Sequence, residues 1–131
     1  MISSGPLNSP WGITIAPSGF GEFSNDLLVG NFGDGRINAF DPATGALLGT
    51  LQDASATPIV IDGLWALKVR SGGPSVNPNA VYFTAGINDQ ANGLFGSLTA
   101  IPEPGTLTLT MMGVTMLAMR LLILGRSNAT C

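Results

Sequence analysis

Along the first hundred residues apolar and polar positions alternate in short bursts, and each burst is closed by turn-forming residues. Ile13 and Ile15 alternate with Thr14 and Ala16, the period-two pattern of a half-buried strand. Residues 27–29 are short, apolar and bounded by turn residues, which fits a central strand. Residues 36–40 alternate again, with Ile37 and Phe40 read as close to one face. In Asp41-Pro42-Ala43-Thr44-Gly45 the proline presets φ, the aspartate can bond back to the backbone and the glycine closes the turn. Residues 46–51 supply a fourth strand, and residues 64–69, 81–84 and 94–98 supply three more.

These strands fall into two similar units. Trp11 corresponds to Trp65 and Leu27 to Ala80, an offset of 53 or 54 residues, so a supersecondary unit is repeated. Each unit reads as an antiparallel meander, and four short strands per repeat is the signature of a β-propeller blade. The predicted fold is therefore all-β: two four-stranded antiparallel blade-like repeats over about residues 7–60 and 61–100, forming a partial β-propeller. Only three strands of the second unit are recognisable. A propeller closes with about four to eight blades, so two leave sheet faces and edges uncovered. Strand spacing alone also admits a fragment of a β-sandwich.

The body resembles NHL-like propellers, in which Asp-Pro-x-Thr-Gly turns are frequent. Leu7-Asn8-Ser9-Pro10-Trp11-Gly12, the stretch from Gly30 to Phe40, and Tyr82-Phe83-Thr84-Ala85-Gly86 look like a family of exported bacterial propellers. That resemblance implies a fold and is nearly silent on activity.

From residue 101 the pattern changes. Residues 106–124 are mostly apolar, interrupted by one charge at Arg120, and, as a helix rising about 1.5 Å per residue, would span roughly 28 Å, close to a bilayer core. A C-terminal transmembrane helix is therefore predicted at 106–124. Pro104 and Gly105 separate it from the body, and the alternative of a helix buried in a soluble domain would need cover on every side. Arg120 and Arg126 lie on its C-terminal side, so that end is expected to face the cytoplasm, with residues 1–100 outside. Pro102-Glu103-Pro104, an apolar helix and then arginine resemble the PEP-CTERM sorting signals of bacterial envelope proteins. The resemblance implies an exosortase-type peptidase as partner, cutting near Pro102, Glu103 and Pro104, and a cell-envelope location. Such tails end in a compact arginine run, whereas here Leu121 to Gly125 divide the two arginines. Residues 1–20 carry neither a basic start nor an apolar run, so the chain is expected to be the C-terminal part of a longer protein or a truncated reading frame.

Composition narrows the chemistry. Glycine at 18 and proline at 9, with only 10% charged residues, suit strands and tight turns more than exposed helices. Residues 1–100 set seven carboxylates (Glu22, Asp26, Asp34, Asp41, Asp53, Asp62 and Asp89) against Arg36, Lys68 and Arg70, which makes nucleic acid an improbable partner. Histidine is absent, removing Ser-His-Asp triads and histidine-based metal sites. The single cysteine, Cys131, allows neither a disulfide within the chain nor a cysteine cluster. Glu22 with Asp26 or Asp34 could form a carboxylate pair for glycoside hydrolysis, but all sit beside Gly or Asn in evident turns, where a turn or cap role is the expectation. Gly30-Asn31-Phe32-Gly33-Asp34-Gly35 lacks the ending of a phosphate loop and reads as a hairpin turned at Asp34-Gly35. Calcium on Asp34 and Asn31 is chemically possible, although the usual loop spacing is missing. Trp11 and Trp65 suggest packing between sheets, with a carbohydrate-stacking platform as the alternative. No cofactor and no catalytic residue are assigned. The expected function is non-catalytic binding or structure, with extracellular polysaccharide as a candidate partner. The competing expectation is a metal-dependent propeller hydrolase or lactonase.

Overall fold

In a computed structural model, which describes residues 1–101, the chain folds as seven strands in two antiparallel sheets. The first sheet is a meander of β1 (Pro10–Ile15), β2 (Leu27–Asn31), β3 (Ile37–Phe40) and β4 (Leu47–Thr50). The second contains β5 (Leu64–Val69), β6 (Val81–Gly86) and β7 (Asn92–Leu98). It has three strands, so the expected fourth strand of the second repeat is not present among the described residues. After Leu98 the described chain holds no further strand, and nothing there alternates for long enough to pair with β7.

The repeat extends to the register. Ile13 pairs with Val29 and Ile15 with Leu27; Leu67 pairs with Phe83 and Val69 with Val81, each 54 positions later. Even the irregularities recur: β1 bulges between Pro10 and Gly12, and β5 bulges between Leu64 and Leu67. A bulge at the start of a strand turns the extra side chain out of the pleat and increases local twist.

One face of the first sheet packs on one face of the second. Leu28, Ile37 and Ala39 from the first meet Leu64, Leu67, Val81, Phe83 and Ala85 from the second in one buried cluster. β6 shows the alternation plainly, with Val81, Phe83 and Ala85 buried and Thr84 exposed between them. All of β3 is buried, which hides its alternation. Gly30 pairs with Ile37 and Leu27 with Phe40, so Ile37 and Phe40 lie on opposite faces. Their expected sharing of one face is thus corrected, because positions three apart on a strand differ in parity.

Gly12 sets how closely the sheets approach. A Cβ built there would lie 2.6 Å from the Trp65 carbonyl oxygen and 2.9 Å from the Leu67 amide nitrogen. Both are backbone atoms that cannot move aside, so β1 and β5 lie side by side only because residue 12 has no side chain. The connection from β4 to β5 is held by Ile59 N–H donating to the Leu51 carbonyl and Ile61 N–H donating to the Gly35 carbonyl. Among the described residues no helix is long and apolar enough to cross a membrane. The predicted helix at 106–124, with Arg120, Arg126 and the Pro102-Glu103-Pro104 motif, lies outside the described residues.

The β3–β4 turn shows how acidic residues are used. The Asp41 carboxylate accepts from the Ala43 and Thr44 amides at 2.8 and 3.1 Å, and the Gly45 amide donates to the Asp41 carbonyl. The two amide bonds, Ala43 first, hold the Asp41 carboxyl below its ordinary value of 3.8, since they favour the charged form. A depressed folded-state value contributes stability above the unfolded value and loses it as pH falls through the folded one. Asp41→Ala should therefore unfold more easily than wild type at neutral pH, with a gap that closes below pH 3.8. Thermal melts of both proteins across pH 7 to pH 2 check this; a gap independent of pH would show that the charge is not involved.

Candidate functional site

Three aromatic rings gather at the end of the molecule where β1 and β5 begin. Trp11 stacks on Trp65 with centroids 5.6 Å apart and planes at 30°, and Phe32 lies 6.1 Å from Trp11. Both tryptophans sit in the equivalent bulges, which explains why they leave the pleat together. They are not core residues: Trp11 is 66% exposed and Trp65 40%. The two rings do pack sheet against sheet, as expected, but the expectation that they lie in the core is corrected: the bulges turn them to the rim while Leu64 and Leu67 fill the interior.

Phe32 is fixed by the chain ahead of β1. Its amide donates to the Ser9 carbonyl at 2.8 Å, and the Gly33 amide donates to the Asn8 carbonyl at 3.0 Å. The rest of the rim comes from the β6–β7 connection. Asn88, Asp89 and Gln90 all have positive φ, at 54°, 53° and 67°, forming one left-handed turn over Ile87–Gln90. Left-handed backbone costs roughly 1–2 kcal/mol per residue in ordinary side chains, and Asn and Asp tolerate it best. Three bonds hold it: the Asn88 amide donates to Asp62 Oδ2 at 3.0 Å, Asn88 Nδ2 donates to Asn92 Oδ1 at 3.0 Å, and the Ala91 amide donates to the Asn88 carbonyl. Gly63, at φ +64°, lets the Gly86 amide reach its carbonyl; a Cβ at Gly63 would collide with the Gly86 oxygen.

Two shallow grooves flank this turn. One is lined by Phe32, Asp62, Gly63, Gly86, Asp89 and Gln90, and the other runs from Trp65 past Gln90 and Asn92 to Leu94 and Phe95. Their walls offer carboxylates and amides with no cationic side chain among the lining residues. Such groups bind hydroxyls well, because a carboxylate accepts and an amide both donates and accepts.

The other candidate residues do not converge. Glu22 lies in a short 3-10 turn and Asp26 just before β2, whereas Asp34 follows β2 at its far end. A five-residue strand, roughly 16 Å long, separates Glu22 and Asp26 from Asp34, too far for a carboxylate pair that includes Asp34. Asp34 Oδ1 accepts from the Arg36 amide at 3.1 Å, as a turn residue does. Asn31 is fully buried, its Nδ2 donating to the Pro6 carbonyl at 2.8 Å, beside Asn38 Nδ2, which donates to the same oxygen. Asn31 and Asp34 thus point to different partners and build no calcium loop. Among the described residues no three of His, Cys, Asp and Glu gather as a metal site.

The rim turn at 87–90 and Phe32 were not singled out from the sequence. The available signal was Asn88-Asp89, two residue types that accept positive φ, directly after Gly86.

Comparison with known proteins gives viral relatives. Over 96 residues the chain is 42% and 40% identical to two uncharacterised proteins of Acanthamoeba polyphaga mimivirus. The first of these alignments takes 73% of the chain and 23% of the relative, and the second 73% and 24%. A third uncharacterised mimivirus protein is 38% identical over 88 residues, 67% of the chain and 16% of that relative. No family model matches, and no solved structure matches. The chain thus spans about a quarter or less of the length of the curated relatives it matches. These relatives overturn the resemblance to a bacterial PEP-CTERM protein and to exported bacterial NHL-like propellers. A three-residue motif before an apolar run is a small coincidence beside extended identity, and that identity points to a viral family.

Proposed function

We propose that residues 1–100 are two consecutive blades of a β-propeller acting as a non-catalytic binding module for neutral polysaccharide. The observation that carries this reading is the exposed stack of Trp11 on Trp65, built from equivalent positions of the two repeats. The blade reading is supported by the meander order, by the 54-residue register, and by the placing of β1 and β5 side by side as the first strands of their sheets. In a propeller those strands line the central channel, and the aromatic cluster would stand at its mouth.

Sugar rings present flat C–H faces that pack on aromatic rings and hydroxyls that need hydrogen-bonding partners. Phe32, Trp11 and Trp65 supply the first requirement, and Asp62, Asp89, Gln90 and Asn92 supply the second. The apolar run at 106–124 supports display of this module at a membrane, on the side opposite Arg120 and Arg126. The test is cosedimentation of the full chain, in mild detergent, with insoluble neutral polysaccharides. Wild type should pellet with at least one of them, and Trp11→Ala and Trp65→Ala should each lower the bound fraction at least tenfold. Equal pelleting of all three proteins, or none with any polysaccharide, removes the reading.

A further inference from the structure

The two repeats differ in one hairpin beside the aromatic rim. Gly30 pairs with Ile37, seven positions later, whereas the equivalent Thr84, 54 positions after Gly30, pairs with Phe95, eleven positions later. The β6–β7 hairpin is therefore four residues longer than the β2–β3 hairpin, and its tip is the left-handed turn of Asn88, Asp89 and Gln90. The shorter hairpin needs positive φ only at Gly35, where glycine adopts it freely. The longer one imposes it on three side-chain-bearing residues in succession, and Gln, unlike Asn and Asp, is not a type that tolerates it. Backbone strain persists only where the surroundings fix it, and it gathers at ligand clamps. Here Asp62 and Asn92 hold the turn through Asn88, and those bonds use neither the Asp89 carboxylate nor the Gln90 amide. Both of those residues are exposed. Gln90 borders both grooves, and its chain lies on the bare backbone of Gly86, where a Cβ would meet Gln90 Cγ at 2.9 Å.

We propose that the four-residue insertion selects the glycan: Asp89 and Gln90 receive a sugar with free hydroxyls on two neighbouring carbons, seated against the tryptophan pair. The inference rests on the polysaccharide reading above and names the sugar pattern that site takes. Stacking on an indole accepts most sugar rings, so selection has to come from hydrogen bonds. A carboxylate presents two acceptor oxygens side by side and takes two adjacent hydroxyls at once, while an amide accepts from one hydroxyl and donates to the next. A sugar that lacks one of the pair leaves an acceptor desolvated without a partner, and that loss is the source of discrimination. The first repeat has no such device, because its hairpin carboxylate, Asp34, already accepts from the Arg36 amide.

Calorimetric titration of the full chain in mild detergent decides it. The probes are soluble polymers of glucose, mannose and galactose, each taken as an O4-linked and an O3-linked pair. Linkage through O4 leaves O2 and O3 free as neighbours, whereas linkage through O3 leaves no adjacent pair within the polymer. Wild type should bind the O4-linked member about tenfold tighter, the discrimination expected of one lost hydrogen bond. Gln90→Gly removes the side chain and suits the left-handed backbone, and Asp89→Asn keeps a residue that accepts it while replacing an acceptor oxygen by a donor. Both variants should melt no lower than wild type, lose about tenfold on the O4-linked polymer and much less on the O3-linked one. A turn that served only the fold would lower both affinities by one factor. Preference that survives both substitutions, equal losses on the two linkages, or a wild type without preference would overturn the selection. Binding that still needs Trp11 in those cases leaves the polysaccharide reading standing, whereas a wild type that binds none of the polymers removes both.

Discussion

Gly12→Val should lower the melting temperature by about 12–24 °C and abolish the near-ultraviolet circular dichroism of the tryptophan pair. The new side chain would be driven into the Trp65 carbonyl and the Leu67 amide, where even a Cβ has 2.6–2.9 Å. Overpacking costs about 1–3 kcal/mol where side chains can yield, and here both obstacles are backbone, so about 3 kcal/mol is expected. For a domain of this size each kcal/mol shifts the midpoint by about 4–8 °C. The optical effect is the sharper readout. The two indoles couple only while β1 and β5 touch, and these are the only tryptophans in the chain. Thermal melts and near-ultraviolet spectra check both parts; an unchanged midpoint would mean the sheets do not meet at residue 12.

Ile37→Ala should cost about 2–5 kcal/mol at every protein concentration, the usual range for emptying a fully buried aliphatic site. A typical domain holds only about 5–15 kcal/mol in total, so the variant should be partly unfolded near body temperature. The comparison with Phe95→Ala makes this specific. Phe95 occupies the equivalent position on the uncovered sheet, and an exposed substitution changes stability by no more than about 0.5 kcal/mol. Denaturant titrations of the two variants separate these behaviours. Equal losses at both positions would show that the two faces are not related as covered and uncovered versions of one surface.

The strands were legible because each carries its own period and its own stops. Residues 13–16 alternate, Asp41 to Gly45 closes a turn with its own side-chain bonds, and the Trp11–Trp65 offset announced the repeat. What failed depended on parity or on distant contacts. The recurrence of the tryptophans showed that they are equivalent and said nothing of direction; two bulges decided that direction. Ile37 and Phe40 were separated by parity, and the burial of all four β3 residues concealed it. Asn31 resembled a loop ligand because its neighbours are glycine and phenylalanine, yet the Pro6 carbonyl, 25 positions away in sequence, makes it a buried strand end. The fourth strand of the second repeat was expected from the first repeat alone and had no apolar run of its own. The sorting motif failed for a different reason, since three residues ahead of an apolar segment carry little information against 42% identity over 96 residues with a viral protein.

The polysaccharide reading meets its most direct test in the fluorescence of Trp11 and Trp65, which as the chain's two tryptophans report from the site itself. Soluble neutral oligosaccharides titrated into the full chain in detergent should shift the emission to shorter wavelength and saturate, as stacking sugars displace water from both indoles. Trp11→Phe should keep part of that response, because a ring remains beside Trp65, and Trp11→Ala should lose it. An emission spectrum that stays fixed across a panel of neutral glucans, mannans and galactans would contradict the account.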